Sequence, residues 1–404
     1  MFKGIIDTTL RDGQQSPLLF DSFKYSFSLE DKIKLTSGLL DLGVPNIEFF
    51  SPIVSEHERR DFVKLRKKIK AKNPNTKLLA HCRCNLKDIE EAVKVGFDGL
   101  NLYLNGTSQA HVHIYNQSLV TLKTEITSII KTVREKYANL YLRFSIEDAF
   151  RTKEQDMYTI LDTISGYINT IGIPDTVGVA TPNAVRELIS KLKLRYPHVD
   201  LECHFHNDRG LAMINTVTAV EAGISYVDAS IWGLAERSGI ASLTGVLFNL
   251  SEIDKALVKG YNLNLCYPLN VLMGSILKLQ VPYNEPVSIT NRTHIAGVHH
   301  KAILNSPKIY EAHQLQQFGV TKNQLLLGPL TGWNLIYYYL REFEYYDISQ
   351  DQAKVITREF KQLSKKLSKK VRPEKLLIQI ADKFKLPKIH LDREYIDYRI
   401  ENLT

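Results

Sequence analysis

Short apolar runs rich in β-branched and aromatic residues alternate with longer amphipathic stretches over the first 259 residues. Such short runs are typical of buried strands, and apolar residues recurring every three to four positions are typical of helices. The pattern predicts eight strands, at residues 4–10, 46–50, 77–82, 100–104, 141–146, 172–176, 201–205 and 227–231. It predicts eight helices, at residues 29–42, 55–72, 86–95, 119–137, 154–167, 184–196, 211–222 and 241–259.

Eight successive strand–helix units are the count of a (β/α)8 TIM barrel, so residues 1–259 are predicted to form a barrel domain. A doubly wound sheet is the alternative, but the glycine-rich phosphate turn that usually marks one is absent. The alternation stops after Gly260. We therefore predict a loop-rich linker or lid subdomain at 260–319 and a small helical subdomain at 320–404, with its helices within 347–385.

Composition restricts the class of protein and its partners. No apolar run of the 404 residues approaches membrane-spanning length, which predicts a soluble protein without a membrane partner. Four cysteines in a chain of this size favour a reducing compartment over a disulfide framework, and hence a cytoplasmic protein.

The net charge of +8 is concentrated near the C-terminus, where residues 353–388 hold twelve Lys and Arg against three acids. Apolar residues at helical spacing within this segment predict a solvated helix face. No recognition motif or aromatic interleaving accompanies the charge, so a nucleic-acid partner is not predicted. Attraction for an anionic cofactor such as a CoA phosphate remains open.

His204 and His206 lie two residues apart at the end of a predicted strand, so both imidazoles face the same side. The first strand runs into Arg11 and Asp12, which offer a carboxylate beside a fixed cation. Two imidazoles and one carboxylate form an open coordination face for a divalent metal, with Mg, Mn and Zn all compatible. A pair of hydrogen-bonded structural histidines is the alternative.

Polar side chains also recur at the ends of the other predicted strands. Arg143, Ser145 and Glu147 are alternate residues of strand five, so their side chains lie on the same face. A self-satisfying Arg143–Glu147 pair would be purely structural, but other strands deliver polar groups to the same rim. They are Glu48, His81, Arg83, Asn101, Tyr103 and Thr176. Such a rim suits an anionic oxo acid, because a metal can polarise its carbonyl and an arginine can bind its carboxylate.

Three motifs, Asp7-Thr-Thr-Leu-Arg-Asp-Gly-Gln-Gln15, Glu202-Cys-His-Phe-His-Asn-Asp208 and Gly233-Leu-Ala-Glu-Arg-Ser-Gly239, resemble those of the DRE-TIM metallolyases. These include the Claisen-type synthases that join acetyl-CoA to a 2-oxo acid. Within that superfamily the chain most resembles the homocitrate synthases. That subgroup is matched by Ile47-Glu-Phe-Phe-Ser-Pro52, Phe144-Ser-Ile-Glu-Asp-Ala-Phe-Arg151, Asp175-Thr-Val-Gly-Val-Ala-Thr-Pro182, Ala296-Gly-Val-His-His-Lys-Ala-Ile-Leu304 and Leu330-Thr-Gly-Trp-Asn334.

The resemblance implies a role for each candidate residue. The metal ligands would be Asp12, His204 and His206. Substrate would be bound by Gln15, Glu48, His81, Arg143, Ser145 and Thr176. Proton transfer and stabilisation of the alkoxide would fall to Arg11, Glu147, His299 and Tyr310. The last two would reach in from the partner subunit of a homodimer with swapped C-terminal regions.

The implied reaction is the condensation of acetyl-CoA with 2-oxoglutarate to homocitrate and CoA, in lysine biosynthesis. The same chemistry on oxaloacetate, pyruvate or 2-oxoisovalerate is the alternative, and Arg143 favours a second carboxylate because an unpaired buried cation is costly. A retro-aldol acyl-CoA lyase would use a cysteine on a glycine-rich loop, a context that Cys266 lacks. A facial-triad iron oxygenase shares the ligand set but not eight strand–helix units.

The chain departs from the family pattern at two positions of the predicted site. Asp12 stands where homocitrate synthases usually carry Glu, whereas the isopropylmalate and citramalate synthases carry Asp. Asn101 stands where fungal-type enzymes carry an acid that binds lysine together with the equivalent of Glu202.

Overall fold

The computed structural model describes residues 2–366 and 371–389. Part of the basic segment predicted at 353–388, residues 367–370, lies outside this description, as do residues 390–404 of the predicted C-terminal subdomain. The described chain clusters into two compact units, one of residues 2–288 with 317–319, and the other of residues 289–316 with the described residues from 320 onward. The predicted three-part division at 260 and 320 remains a prediction.

Eight parallel strands close into a barrel in sequence order, and the last strand pairs with the first. The strands are β1 (Gly4–Asp7), β2 (Asn46–Phe50), β3 (Lys77–Arg83), β4 (Gly99–Asn105), β5 (Tyr141–Glu147), β6 (Thr170–Gly172), β7 (Asp200–Cys203) and β8 (Tyr226–Ala229). The predicted TIM barrel is therefore confirmed.

Helices separate and follow the strands. In the first unit they are α1 (Pro17–Asp21), α2 (Leu29–Leu42), α3 (Glu56–Lys72), α4 (Leu86–Val95), α5 (Ser108–Ala110), α6 (Leu119–Lys136), α7 (Glu154–Ile164), α8 (Pro182–Arg195), α9 (Ala212–Glu221), α10 (Leu243–Ile253) and α11 (Cys266–Leu277). The twelve residues of α11 form a regular helix within the segment predicted to be loop-rich. This helix is apolar enough to pack on α2, where Gly38 allows a close approach of Leu269.

Strand side chains that face the helices are apolar and fully buried, as at Leu78, Leu100, Phe144 and Val227. Side chains that face the barrel interior are unusually polar. The buried polar residues on the strands include Glu48, Asn101, Arg143, Ser145, Glu202 and Asp228. Barrel interiors are normally filled by branched apolar residues, so this concentration of charge marks the interior as the candidate site.

The sixth strand was predicted at 172–176 but lies at Thr170–Gly172. Pro174 interrupts the ladder because it has no N–H to donate. The chain remains extended beyond it, since Asp175 forms a single parallel bridge with Phe205 after β7 has ended. This bridge holds the segment that carries His204 and His206 alongside the loop that carries Thr176.

The second unit holds α12 (Gly297–Asn305), α13 (Trp333–Glu342), α14 (Gln350–Ser364) and α15 (Pro373–Lys383), with a parallel pair of short strands, β9 (Thr293–His294) and β10 (Gln324–Leu325). Helices α13, α14 and α15 share a core that includes Leu335, Leu340, Ile356, Phe360 and Leu377. Ser349 begins α14 with a reciprocal capping box, which explains why the helix starts there. In the part of the chain that the structure describes, no helix is both long and apolar enough to cross a bilayer.

Candidate active site

The loop after β1 is folded by a buried carboxylate. Asp7 accepts hydrogen bonds from the backbone N–H of Thr9 (3.0 Å) and from its hydroxyl (2.9 Å), and the Thr9 hydroxyl in turn accepts from the N–H of Ile231 after β8. Burial raises the pKa of Asp7 to about 7. The turn delivers Arg11 and Asp12 to the rim at the carboxyl ends of the strands, where TIM barrels carry their chemistry.

Asp12, His204 and His206 come together as predicted, and all three are buried. Asp12 Oδ2 lies 3.1 Å from His204 Nε2 and 3.9 Å from His206 Nε2. The two Nε2 atoms lie 3.3 Å apart. Asp12 Oδ2 is buried and forms no hydrogen bond of good geometry, so it is available as a ligand for an ion.

These distances fit one small divalent ion. Ligand atoms that neighbour each other around an ion with bonds of about 2.1 Å lie roughly 3.0–3.4 Å apart. The separations of 3.1 and 3.3 Å fall within that range and the one of 3.9 Å exceeds it. The donor set of one oxygen and two nitrogens suits Mg, Mn or Zn. Burial disfavours a charged Asp12, but Arg11 and the two imidazoles overcome it and hold the pKa of Asp12 far below its ordinary value.

Asp228 supports the triad from the next layer. Its Oδ2 lies 3.1 Å from His204 Nδ1, and its Oδ1 accepts a hydrogen bond from Arg143 Nη1 at 3.1 Å. A carboxylate at Nδ1 keeps a proton on that nitrogen, so Nε2 is the nitrogen that would bind an ion. Asp228 is the site residue that the sequence interpretation missed. The feature that could have indicated it is an acidic residue between Val227 and Ala229 on a strand predicted to be buried.

Arg143 is buried among three carboxylates. It pairs with Glu48 through a very short contact, with Asp228 at 3.1 Å and with Glu202 at 3.4 Å. Arg143 would therefore not be left unpaired by an apolar oxo acid, contrary to the expectation from the sequence. The pairing with Glu147 that was weighed for Arg143 is not found either. Burial raises the pKa of Glu202 well above its ordinary value, and the neighbouring Arg143 only partly offsets this.

Glu48 links the two arginines. Arg11 Nε donates to Glu48 Oε1 at 2.8 Å, while Arg143 and the side-chain amide of Asn101 bind Oε2. Glu48 is fully buried, so its contribution is to hold the cations in place.

A cavity of about 70 Å³ lies above this network. Of the predicted residues, those lining it are Arg11, His81, Asn101, Arg143, Ser145, Glu147, Thr176, His204 and His206. Gln15 is exposed and does not line it. Thr176 reaches it from the loop beyond β6, and its hydroxyl accepts from the N–H of Asp148 at 2.8 Å.

Glu147 stands between two cavities. It lines the small polar cavity and also a larger one of about 370 Å³, whose walls include Tyr103, Leu104, Tyr115 and Ile126. Burial raises the pKa of Glu147 above its ordinary value, and Arg11 only partly offsets that. A carboxylate of raised pKa between a polar and a partly apolar space is suited to moving a proton.

The loop from Gly233 to Gly239 lies against the triad. The N–H of Glu236 donates to Asp12 Oδ1 at 3.4 Å, and Arg237 pairs with Asp208 at 2.7 Å. Gly239 has φ 82°, and a Cβ there would lie 2.2 Å from the carbonyl oxygen of Gly233. This turn therefore requires glycine, which explains the glycines that bound the motif.

In the second unit, the predicted residues His299 and Tyr310 lie together. Their ring centroids are 3.9 Å apart with planes tilted by 30°. Arg292 pairs with Glu311 at 2.7 Å beside them, and His294 Nε2 lies 3.7 Å from the same carboxylate. Whether the pair serves catalysis stays a prediction.

Comparisons with known proteins agree on one group. The HMGL-like family model matches residues 3–267, and the model of the homocitrate synthase post-HMGL domain matches residues 287–368. The cytosolic homocitrate synthase isozyme of Saccharomyces cerevisiae is 34% identical over 89% of this chain and 81% of its own length. The mitochondrial homocitrate synthase of Schizosaccharomyces pombe is 34% identical over 89% of this chain and 84% of its own.

Among solved structures, hydroxymethylglutaryl-CoA lyase from Pseudomonas aeruginosa matches with a TM-score of 0.57 at 20% identity. The match covers 69% of this chain and 94% of the lyase. At this level of identity the likeness concerns the barrel fold alone.

Proposed function

We propose that this chain, which belongs to the HMGL-like family and within it to the homocitrate synthases, has the activity of that group. It would condense acetyl-CoA with 2-oxoglutarate and water to give homocitrate and CoA. The observation that carries the proposal is the position of Glu147 between the polar cavity, which includes His204 and His206, and a larger, partly apolar one. The base that deprotonates the acetyl group must lie where the two substrates meet.

The oxo acid would occupy the polar cavity. Asp12, His204 and His206 would hold a divalent ion, which supplies Lewis-acid polarisation of the keto oxygen when bound. Arg11 would stabilise negative charge on that oxygen, and Thr176 would bind the carboxylate beside the keto group. Ser145 and His81, with Arg143 behind them, would receive the distal carboxylate.

Glu147 would remove a proton from the acetyl methyl group, and the resulting carbanion would attack the keto carbon. The new carbon–carbon bond turns the keto oxygen into a hydroxyl as it accepts a proton. Water then cleaves the thioester and releases CoA. His299 and Tyr310 would move protons in this sequence from the partner subunit of a swapped homodimer.

The structure weakens one argument for 2-oxoglutarate, because Arg143 already has carboxylate partners. The preference for a dicarboxylate rests instead on family membership and on His81, because the Ser145 hydroxyl already donates its hydrogen to Asn101 Oδ1. Oxaloacetate, shorter by one methylene, is the second candidate, since one methylene changes binding by only about 1–3 kcal/mol.

A steady-state assay of CoA release with 2-oxoglutarate, oxaloacetate, pyruvate and 2-oxoisovalerate tests the proposal. We expect the highest kcat/KM with 2-oxoglutarate. Faster turnover of 2-oxoisovalerate than of either dicarboxylate would refute the substrate assignment.

The four cysteines are all free thiols, which supports a reducing compartment such as the cytoplasm. Lysine biosynthesis is the pathway that the proposed product serves.

A further inference from the structure

Asn101, on β4, has a buried side-chain amide engaged at both ends. Its Oδ1 accepts a hydrogen bond from the Ser145 hydroxyl at 2.7 Å. Its Nδ2 lies 3.2 Å from Glu48 Oε2 and 3.0 Å from His81 Nδ1. The register of the barrel makes these contacts possible, because Asn101 is paired with His81 on β3 and with Arg143 on β5.

The carboxylate fixes the orientation of the amide. Glu48 is bound by Arg11 and Arg143 and can only accept hydrogen bonds, so the nitrogen end of Asn101 must face it. The same nitrogen faces His81, and its second hydrogen is directed to Nδ1. His81 Nδ1 must therefore accept, which leaves the ring proton on Nε2.

His81 is held with Nε2 available to a ligand. Its ring stacks on Tyr103 with centroids 4.4 Å apart and planes 11° from parallel, and it lines the polar cavity. No residue in the described ranges forms a hydrogen bond with Nε2. Burial, followed by the neighbouring cations, lowers the pKa of His81 well below its ordinary value. The charged or titratable groups around it are Arg11, Asp12, Glu48, Tyr103, Arg143 and His204.

We propose that Asn101 is a positioning residue that fixes His81 as the neutral Nε2–H tautomer, so that the ring presents a hydrogen-bond donor to the distal carboxylate of the oxo acid. The assignment of that ligand rests on the proposed function, whereas the tautomer does not. An acid at position 101 could not donate to Nδ1. It would draw the ring proton to Nδ1 and place a second carboxylate beside Glu48.

Long-range proton–nitrogen NMR of 15N-histidine-labelled holoenzyme, loaded with diamagnetic Mg²⁺ or Zn²⁺, reads the tautomer directly. His81→Gln identifies the His81 signals. We expect the proton on Nε2 in the wild-type enzyme and on Nδ1, or on both nitrogens, in Asn101→Asp. A wild-type ring protonated on Nδ1 would refute the proposal, as would an unchanged ring in a folded Asn101→Asp enzyme.

If Asn101→Asp does not fold, the wild-type spectrum and Asn101→Ala still decide the question. Loss of the amide donor in Asn101→Ala should replace the single tautomer with a mixture, and a ring still wholly in the Nε2–H form would count against Asn101. Asn75→Asp, an exposed loop position, adds the same charge outside the site and should leave the His81 signals unchanged.

Kinetics test the role toward substrate. Loss of a hydrogen bond to a charged group should raise KM for 2-oxoglutarate by about 10–100-fold in Asn101→Asp, with kcat nearly unchanged. The pH profile of KM should gain a titration of His81 that the wild-type enzyme lacks. A shifted tautomer with unchanged KM would refute the contact with substrate. A wild-type enzyme that does not turn over 2-oxoglutarate would refute the proposed function and leave the NMR result intact.

Discussion

Asp228 connects the candidate metal ligands to the charged interior of the barrel, because each of its carboxylate oxygens has a different partner. One faces His204 Nδ1 and the other accepts from Arg143. It is fully buried, so both contacts are shielded from water. Removing its charge should affect metal binding although it is not itself a candidate ligand.

We predict that Asp228→Asn lowers the affinity for Mn²⁺ or Zn²⁺ by about 10–100-fold, the usual cost of losing a carboxylate behind a metal-bound imidazole. Calorimetric titration of the metal-free protein measures this without reference to activity. Asp162→Asn, which removes a carboxylate from an exposed pair with Arg195, is the matched control. Equal affinity in Asp228→Asn and wild type would show that Asp228 serves only Arg143.

Glu147 is the residue whose titration should control the rate. Its pKa is raised, and only the carboxylate form can accept a proton, so kcat should fall as the pH drops through that raised pKa. We expect Glu147→Gln to lower kcat by about 10²–10⁴-fold and to abolish this acid limb, with little change in KM for the oxo acid. A change confined to KM would show that Glu147 only binds substrate.

The sequence predicted which residues face the interior, because side chains alternate along a strand. It placed Asp12, His204 and His206 at one site, and the structure brings them together. It did not predict which interior groups meet across the barrel. Arg143 pairs with Asp228, 85 residues further along the chain, and no sequence feature near either residue indicates that contact.

Secondary-structure elements were predictable where local signals fix their ends. Helix α2 begins at a capping box between Ser28 and Asp31 and ends at Gly43 in the left-handed conformation, and its bounds match the prediction. Strand β6 was misplaced because Ile173 and Asp175 extend the β-like pattern past the ladder's interruption at Pro174. The strand's true end is decided by pairing with β5 and β7, a tertiary effect.

Gly172 shows how one element shapes the site. It lies in register between Ser145 on β5 and Glu202 on β7, and a Cβ there would meet Ser145 Oγ at 2.1 Å and Glu202 Oε2 at 2.8 Å. We predict that Gly172→Ala lowers the free energy of unfolding by about 1–3 kcal/mol through overpacking and raises KM for the oxo acid. Urea unfolding and initial rates measure the two effects. In Gly166→Ala the new methyl group meets nothing within 4 Å, and both quantities should stay near wild type.

At the scale of the whole molecule, the chain is a barrel unit that contains the candidate metal site and a helical unit that carries His299 and Tyr310. The helical unit has its own core, and it also contains the His299–Tyr310 ring pair and the Arg292–Glu311 ion pair. The sequence predicted His299 and Tyr310 as site residues. It could not specify the Arg292–Glu311 ion pair beside them, because that contact joins residues 19 positions apart.

In the proposed swapped homodimer, each active site uses residues of both subunits, and this can be tested with mixed dimers. If His299 acts on the partner's barrel, a heterodimer of His299→Ala and Glu147→Ala subunits has one site with both defects and one site with neither. Mixed subunits, exchanged by mild denaturation and refolding, should therefore regain up to about a quarter of wild-type activity, since half of the dimers are mixed and each has one intact site. Each variant alone, treated identically, is the control and should stay inactive. Exchanged heterodimers, verified by mass spectrometry, that show no recovery would place Glu147 and His299 in the same subunit's site.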